Sequence, residues 1–183
     1  MIKESKLTRR SFVKYSLQLA AGIVLADPLE SIAALTTIEP MSFYHTHTGE
    51  RLHIKYACDE DCTPATLNRL NNFMRDFRTG DVHPIDPELL DILFAIRNKT
   101  GSRGVIEIIS GYRSPKTNKL LRSASSGVAK KSLHMKGQAL DIRLTDLDTA
   151  KLRDTAISLR RGGVGYYAKS DFVHIDTGRF RTW

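Results

Sequence analysis

Apolar and polar positions along the chain change their spacing several times, and each change marks an element. MSFYHTHTGERLHIKY (41–56) alternates on either side of His47 to Glu50, which predicts two strands around a turn that Gly49 makes permissive. At Thr63-Pro64 a capping residue precedes a first-turn proline, and Leu67, Leu70, Phe73, Met74 and Phe77 recur at helical spacing. Asp86-Pro87 repeats the start signal ahead of Leu89, Leu90, Leu93 and Ile96, and Gly101 and Gly104 close that helix. VIEII (105–109) predicts a short buried strand, and Pro115 opens a polar helix to about Ser123. ALDIR (139–143) alternates again; Asp148 caps a helix bearing Leu152, Ala156 and Leu159; GGVGYY breaks it; DFVHIDTG (171–178) is the last strand. The expected fold is α+β, two helices packed on one face of a small, mostly antiparallel sheet.

The first 34 residues stand apart. TRRSFVK precedes YSLQLAAGIVLA, an apolar run too short to span a bilayer, and Ser31, Ala33 and Ala34 offer small residues for cleavage. Paired arginines with this flank predict a twin-arginine export signal over 1–34; a basic amphipathic helix is the other reading. The domain proper is then 35–183, and nothing in it is long and apolar enough for a membrane helix. It keeps 23 basic and 17 acidic residues, a surplus of +6. In a cytoplasmic protein that surplus would suggest nucleic acid; with an export signal, the expected polyanion is the cell-wall polymer outside the cytoplasm. Cys58 and Cys62, in CDEDC, are spaced for a small disulfide loop or half a zinc site, with free thiols the third option.

The pleat raises a chemical question. Leu140 and Ile142 share one face of their strand, leaving Asp141 on the other; Val173 and Ile175 likewise leave His174 and Asp176 opposite them. If both apolar faces meet the helices, Asp141 and His174 meet on the far side, where His134, just before Gly137, can fold back over them. Two imidazoles and a carboxylate suit a catalytic zinc with a fourth position left for water. A hydrogen-bonded His–Asp pair satisfying buried polar groups is the plainer alternative. His45 and His47 form an H-x-H that reads as exposed turn residues, and His53 and His83 read as ordinary surface or strand positions. Tyr166 and Tyr167 read as packing residues, with one of them a cleft candidate, and Lys130 and Lys131 as a solvated basic loop.

SLHMKGQALD (132–141) resembles the S-x-H-x-x-G-x-A-x-D signature of the zinc D,D-carboxypeptidase and endopeptidase family, the VanY and VanX relatives, with every defined place filled. Together with SGYRS (110–114), GGVGYY and FVHIDTG, its ordering resembles murein endopeptidases of the MepK type. The resemblance implies one zinc ion held by His134, Asp141 and His174 in a cleft on the sheet face away from the helices. It implies a turn at Gly137 and an oxyanion-stabilising Arg113. The family's general base is a carboxylate three residues before the last ligand. Asp171 stands there, one methylene shorter than the family's Glu, and Val173 replaces a frequent Trp. Asp176 is the second base candidate and the expected orienter of His174. The implied activity is cleavage of peptide cross-links in peptidoglycan. The alternatives are trimming of terminal D-Ala and a zinc-holding wall-binding module without catalysis.

Overall fold

The computed structural model describes residues 40–55, 63–125 and 127–183; residues 1–34, where an export signal is expected, and Cys58 and Cys62 lie outside the described residues. Seven strands form one sheet: β1 (Met41–His45), β2 (Arg51–Ile54), β3 (Ile106–Ser110), β4 (Ala139–Leu144), β5 (Gly163–Tyr167), β6 (Phe172–Asp176) and β7 (Arg181–Thr182). Their spatial order is β2-β1-β3-β4-β6-β5-β7. The β1–β2, β3–β4, β4–β6 and β5–β6 ladders are antiparallel, while β1–β3 and β5–β7 run parallel.

Among the described residues, four helices form where the start signals lie. Helix α1 (Pro64–Phe73) begins with Thr63 accepting from Thr66 N, and α2 (Glu88–Thr100) begins with Asp86 accepting from Glu88 N. Helix α2 ends at Gly101, whose φ of 69° is left-handed. Ser114 caps α3 (Pro115–Ala124) through Thr117 N, and Asp148 caps α4 (Thr149–Leu159) through Ala150 N and Lys151 N. Helix α4 packs on α2 and on β4, β5 and β6. Leu140, Ile142, Val173 and Ile175 meet Leu89, Leu93 and Leu152 in the core, all essentially without solvent exposure. Burial of each such side chain contributes about 1.5–3 kcal/mol relative to exposure. This apolar layer forces the other face of β4 and β6 to carry Asp141 and His174. Among the described residues, no helix is long and apolar enough to cross a membrane.

Three expectations need correction. The sheet is larger than the pattern suggested: β7 comes after the strand expected to be last, and GGVGYY follows the end of α4 as expected but also supplies strand β5. Its glycines serve close approach: a Cβ on Gly163 would fall 2.4 Å from Asp176 Oδ2, and one on Gly165 2.5 Å from Trp183 Cε2. Helix α1 stops before Phe77, because the chain turns at Asp76, whose carbonyl accepts from Gly80 N and whose carboxylate accepts from Arg78 N. His45 is fully buried, its ring edge-on to Phe73 and Phe77 and its Nδ1 accepting from the amides of His47 and Thr48. Burial pushes its pKa down to about 4, so the ring is neutral at ordinary pH. His47 itself stacks on Phe77 at the surface, with ring centroids 4.1 Å apart.

Candidate functional site

Strand register sets the first two groups. Asp141 and His174 stand directly opposite each other in the β4–β6 ladder, on the face away from the core. The third comes from a 3-10 turn, Leu133–Lys136, which places His134 over the strands. That turn closes on Gly137 at a φ of 66°, where a Cβ would lie 2.1 Å from Pro84 O, so glycine is needed for both conformation and space. The SGYRS segment locks the turn from the other side. His134 Nδ1 meets Gly111 O at 2.8 Å, and Arg113 N donates to His134 O at 3.1 Å. SGYRS is itself tied to residues 74–76, through Tyr112 N to Met74 O and Ser114 N to the Asp76 carboxylate, both 2.8 Å.

The outer partners fix the protons. Gly111 O can only accept, so His134 carries its hydrogen on Nδ1 and turns a bare Nε2 inward. His174 Nε2 lies 3.0 Å from Asp176 Oδ2. Asp176 is fully buried, and burial alone would raise its pKa. The bonds from His174, Arg181 and the Gly178 and Gly163 amides outweigh that and hold it well below the usual carboxylate range. An ionised Asp176 takes the His174 hydrogen at Nε2 and leaves Nδ1 bare. Three lone pairs therefore converge: His134 Nε2 to His174 Nδ1 is 3.2 Å, His134 Nε2 to Asp141 Oδ1 3.3 Å, and His174 Nδ1 to Asp141 Oδ1 2.9 Å.

Such a set can hold a cation. Burial pushes the His174 pKa down, but the Asp141 and Asp176 carboxylates overcome it and raise the value, so without a metal the cluster tends to hold a proton. Ligand arms of about 2.0–2.1 Å around a tetrahedral ion give ligand–ligand edges of about 3.3–3.4 Å, close to the three spacings found. His134, Asp141 and His174 are all buried, and among the described residues they are the group whose ligand atoms cluster tightly enough for a metal. The residues present fit one divalent ion with an open side.

That open side is a cleft of about 420 Å³ bordered by Arg113, Lys131, Tyr167, Phe172 and Trp183. Arg113 donates from its NH2 nitrogen to Ser110 Oγ at 3.2 Å and to Asp141 Oδ2 at 3.4 Å. Its Nε is buried without a partner, so the guanidinium keeps donor capacity beside the cluster. Of the two tyrosines, Tyr167 borders the cleft and Tyr166 packs against the core.

The two aspartates expected as bases are placed otherwise. Asp171 is not brought to the cluster: it sits in a left-handed turn before β6, its side chain 62% exposed. Its carboxylate accepts from Thr149 Oγ1 at 2.8 Å and faces Arg143 at 3.5 Å. Asp176 lies beneath His174, its oxygens taken by Gly163 N, Gly178 N, Arg181 and His174. It has no lone pair turned to the cleft. Among the described residues bordering the cleft, Asp141 is the sole carboxylate.

Sequence reasoning missed two contributors near the chain's last residue. Arg181 clamps Asp176 with two donors, at 3.0 and 2.6 Å, and Trp183 leans over His174 with ring centroids 5.2 Å apart. Both depend on β7, a two-residue strand too short to leave a periodic signal.

Comparison with known proteins agrees with this geometry. A family model described as peptidoglycan L,D-endopeptidase MepK matches residues 34–183. The chain is 43% identical over 168 residues to the probable peptidoglycan L,D-endopeptidase MepK of Haemophilus influenzae, covering 90% of each. It is 42% identical over 158 residues to the peptidoglycan L,D-endopeptidase MepK of Escherichia coli K12, covering 85% of this chain and 87% of that protein. The chain therefore belongs to the peptidoglycan L,D-endopeptidase MepK family.

Proposed function

We propose that this protein is a zinc-dependent murein endopeptidase that cuts L,D peptide cross-links in peptidoglycan. What supports the metal reading is the convergence of two imidazole nitrogens and a carboxylate oxygen on one point, 2.9 to 3.3 Å from one another. What supports the substrate is the name carried by relatives that match almost end to end. His134, Asp141 and His174 would hold one zinc ion per chain. When bound, such an ion supplies Lewis acidity that polarises a scissile carbonyl and makes water a competent nucleophile near neutral pH. The chain's own residues supply the rest. Arg113, whose guanidinium borders the cleft beside the cluster, would donate to negative charge developing on the carbonyl oxygen. Asp176, clamped by Arg181, keeps the His174 hydrogen on Nε2 and fixes the ring's aim. A site of action in the periplasm, reached by the twin-arginine route, follows from the paired arginines of residues 9 and 10 and from the substrate.

The experiment is digestion of purified muropeptide dimers of defined cross-link by zinc-loaded protein, read by mass. Cleavage of L,D-linked dimers, abolished by chelation and restored by zinc, is expected. Release of terminal D-Ala alone would make the protein a carboxypeptidase, and tight binding without cleavage would make it a wall-binding module.

The aspartates separate in a second measurement. Asp176→Asn places an amide where five donors now converge, and should weaken zinc affinity by about tenfold to a hundredfold. Asp171→Asn, whose side chain faces Thr149 and Arg143, should stay zinc-loaded and cleave within about threefold of the parent, the range expected of a surface change. A zinc-loaded Asp171→Asn that has lost a hundredfold in rate would return the base role to Asp171.

A further inference from the structure

The chain has a single tryptophan, and it stands at the metal cluster. Trp183 is half exposed, with 50% of its surface open, and it borders the cleft. A ring left that open contributes little to the core, yet it is held from several directions. Its amide donates to Val164 O at 3.3 Å, its carbonyl accepts from Tyr166 N at 3.0 Å, and its indole Nε1 donates to Tyr167 Oη at 3.0 Å. The Arg181 guanidinium lies 4.9 Å from the ring centroid. Beneath it Gly165 leaves room that any side chain would take, since a Cβ there would fall 2.5 Å from Cε2 and 2.7 Å from Nε1. Binding an exposed aromatic this firmly displays a flat apolar surface at low entropic cost when something packs on it.

Strand order says what the surface faces. Arg113 follows β3, on one side of β4, while Trp183 follows β7, beyond β6 and β5 on the other side. The cluster lies between a cationic wall and an aromatic one. We propose that Trp183 is a substrate-contacting, specificity-determining residue: the saturated carbon surface of the peptide flanking the scissile bond packs on its indole. The ring's place beside His174 assigns it to the peptide adjoining the bond that is cut rather than to a sugar further along the strand. This inference rests on the endopeptidase reading for its substrate.

Three variants and one spectroscopic signal test it on zinc-loaded protein. Trp183→Ala should raise KM for the muropeptide dimer about tenfold or more, leaving kcat within about threefold and zinc content unchanged. Trp183→Phe should recover most of the loss, and Gly165→Ala, with Trp183 intact but displaced, should raise KM as well. In stopped-flow mixing, the emission of the lone tryptophan should change saturably before product appears, and equally for dimers with and without their disaccharides. An unchanged KM in Trp183→Ala, or an emission indifferent to saturating dimer, would overturn the proposal. Loss of zinc in place of a rise in KM would overturn it too, by making the ring a support for His174. A response restricted to disaccharide-bearing dimers would overturn the assignment to peptide. If the parent protein cuts no dimer while its emission still responds, the catalytic reading fails and the contact stands; normal cleavage by Trp183→Ala at unchanged KM fails the contact alone.

Discussion

Replacing His134 with alanine is expected to leave the purified protein with less than about a tenth of a zinc ion per chain after dialysis, and to leave muropeptide dimers uncut. The substitution removes one of three converging donors and also orphans its outer partner, because Gly111 O accepts from His134 Nδ1 in a site where His134 is only 2% exposed. Loss of an outer partner alone typically costs tenfold to a hundredfold in metal affinity, and loss of a donor costs more. Two remaining ligands, Asp141 and His174, cannot hold a tetrahedral ion against competing water. Elemental analysis alongside digestion read by mass checks both halves. Full zinc occupancy in His134→Ala would remove it from the ligand set. A far-ultraviolet spectrum matching the parent is required with it, since the turn that carries His134 also packs Gly137 against Pro84.

Arg113→Ala should separate chemistry from metal binding. Its side chain is 12% exposed, and burial pulls its pKa down while Asp141 pushes it back up; the guanidinium stays charged at any working pH. The contact to Asp141 Oδ2 is 3.4 Å, at the long end for a charge-assisted bond, and Nε has no partner. A guanidinium held that loosely at the edge of the cleft can turn a donor to a carbonyl oxygen as it gains charge. Loss of one such donor costs about a hundredfold to a thousandfold in kcat. The expected variant therefore holds zinc at parental stoichiometry, melts cooperatively and turns over about a hundredfold more slowly. Unchanged turnover would place Arg113 in the ion-pair framework of Asp141 rather than at the reacting carbonyl.

Why the sequence brought His134, Asp141 and His174 together and not the groups behind them is a matter of range. Asp141 and His174 were legible because a period of two sorts side chains by face, and the core faces of β4 and β6 are unmistakably apolar. Local chemistry also revealed the helix starts, in Thr63, Asp86, Pro115 and Asp148. GGVGYY was opaque because glycine carries two opposite meanings, a turn or a close contact, and only the positions of Asp176 and Trp183 decide between them. His45 was misread for a similar reason: its neighbours in the chain are turn residues, but Phe73 and Phe77 arrive from a distant segment to cover it. Asp171 shows the limit of a motif. It occupies the expected place three residues before His174, yet a left-handed turn points its carboxylate toward Thr149. Arg181 and Trp183 leave no pattern because a two-residue strand has no period.

The direct opposition of Asp141 and His174 across the β4–β6 ladder has a consequence for the order of events in the protein's life. Main-chain hydrogen bonds between the strands hold that register, and none of them runs through the side chains of the cluster. A frame of that kind would let folding and metal uptake be separate steps, unlike in small domains that fold only around their zinc. A chain could finish folding in one compartment and acquire its ion in another. Which metal it ends up carrying would then be decided by supply at the destination rather than at the ribosome.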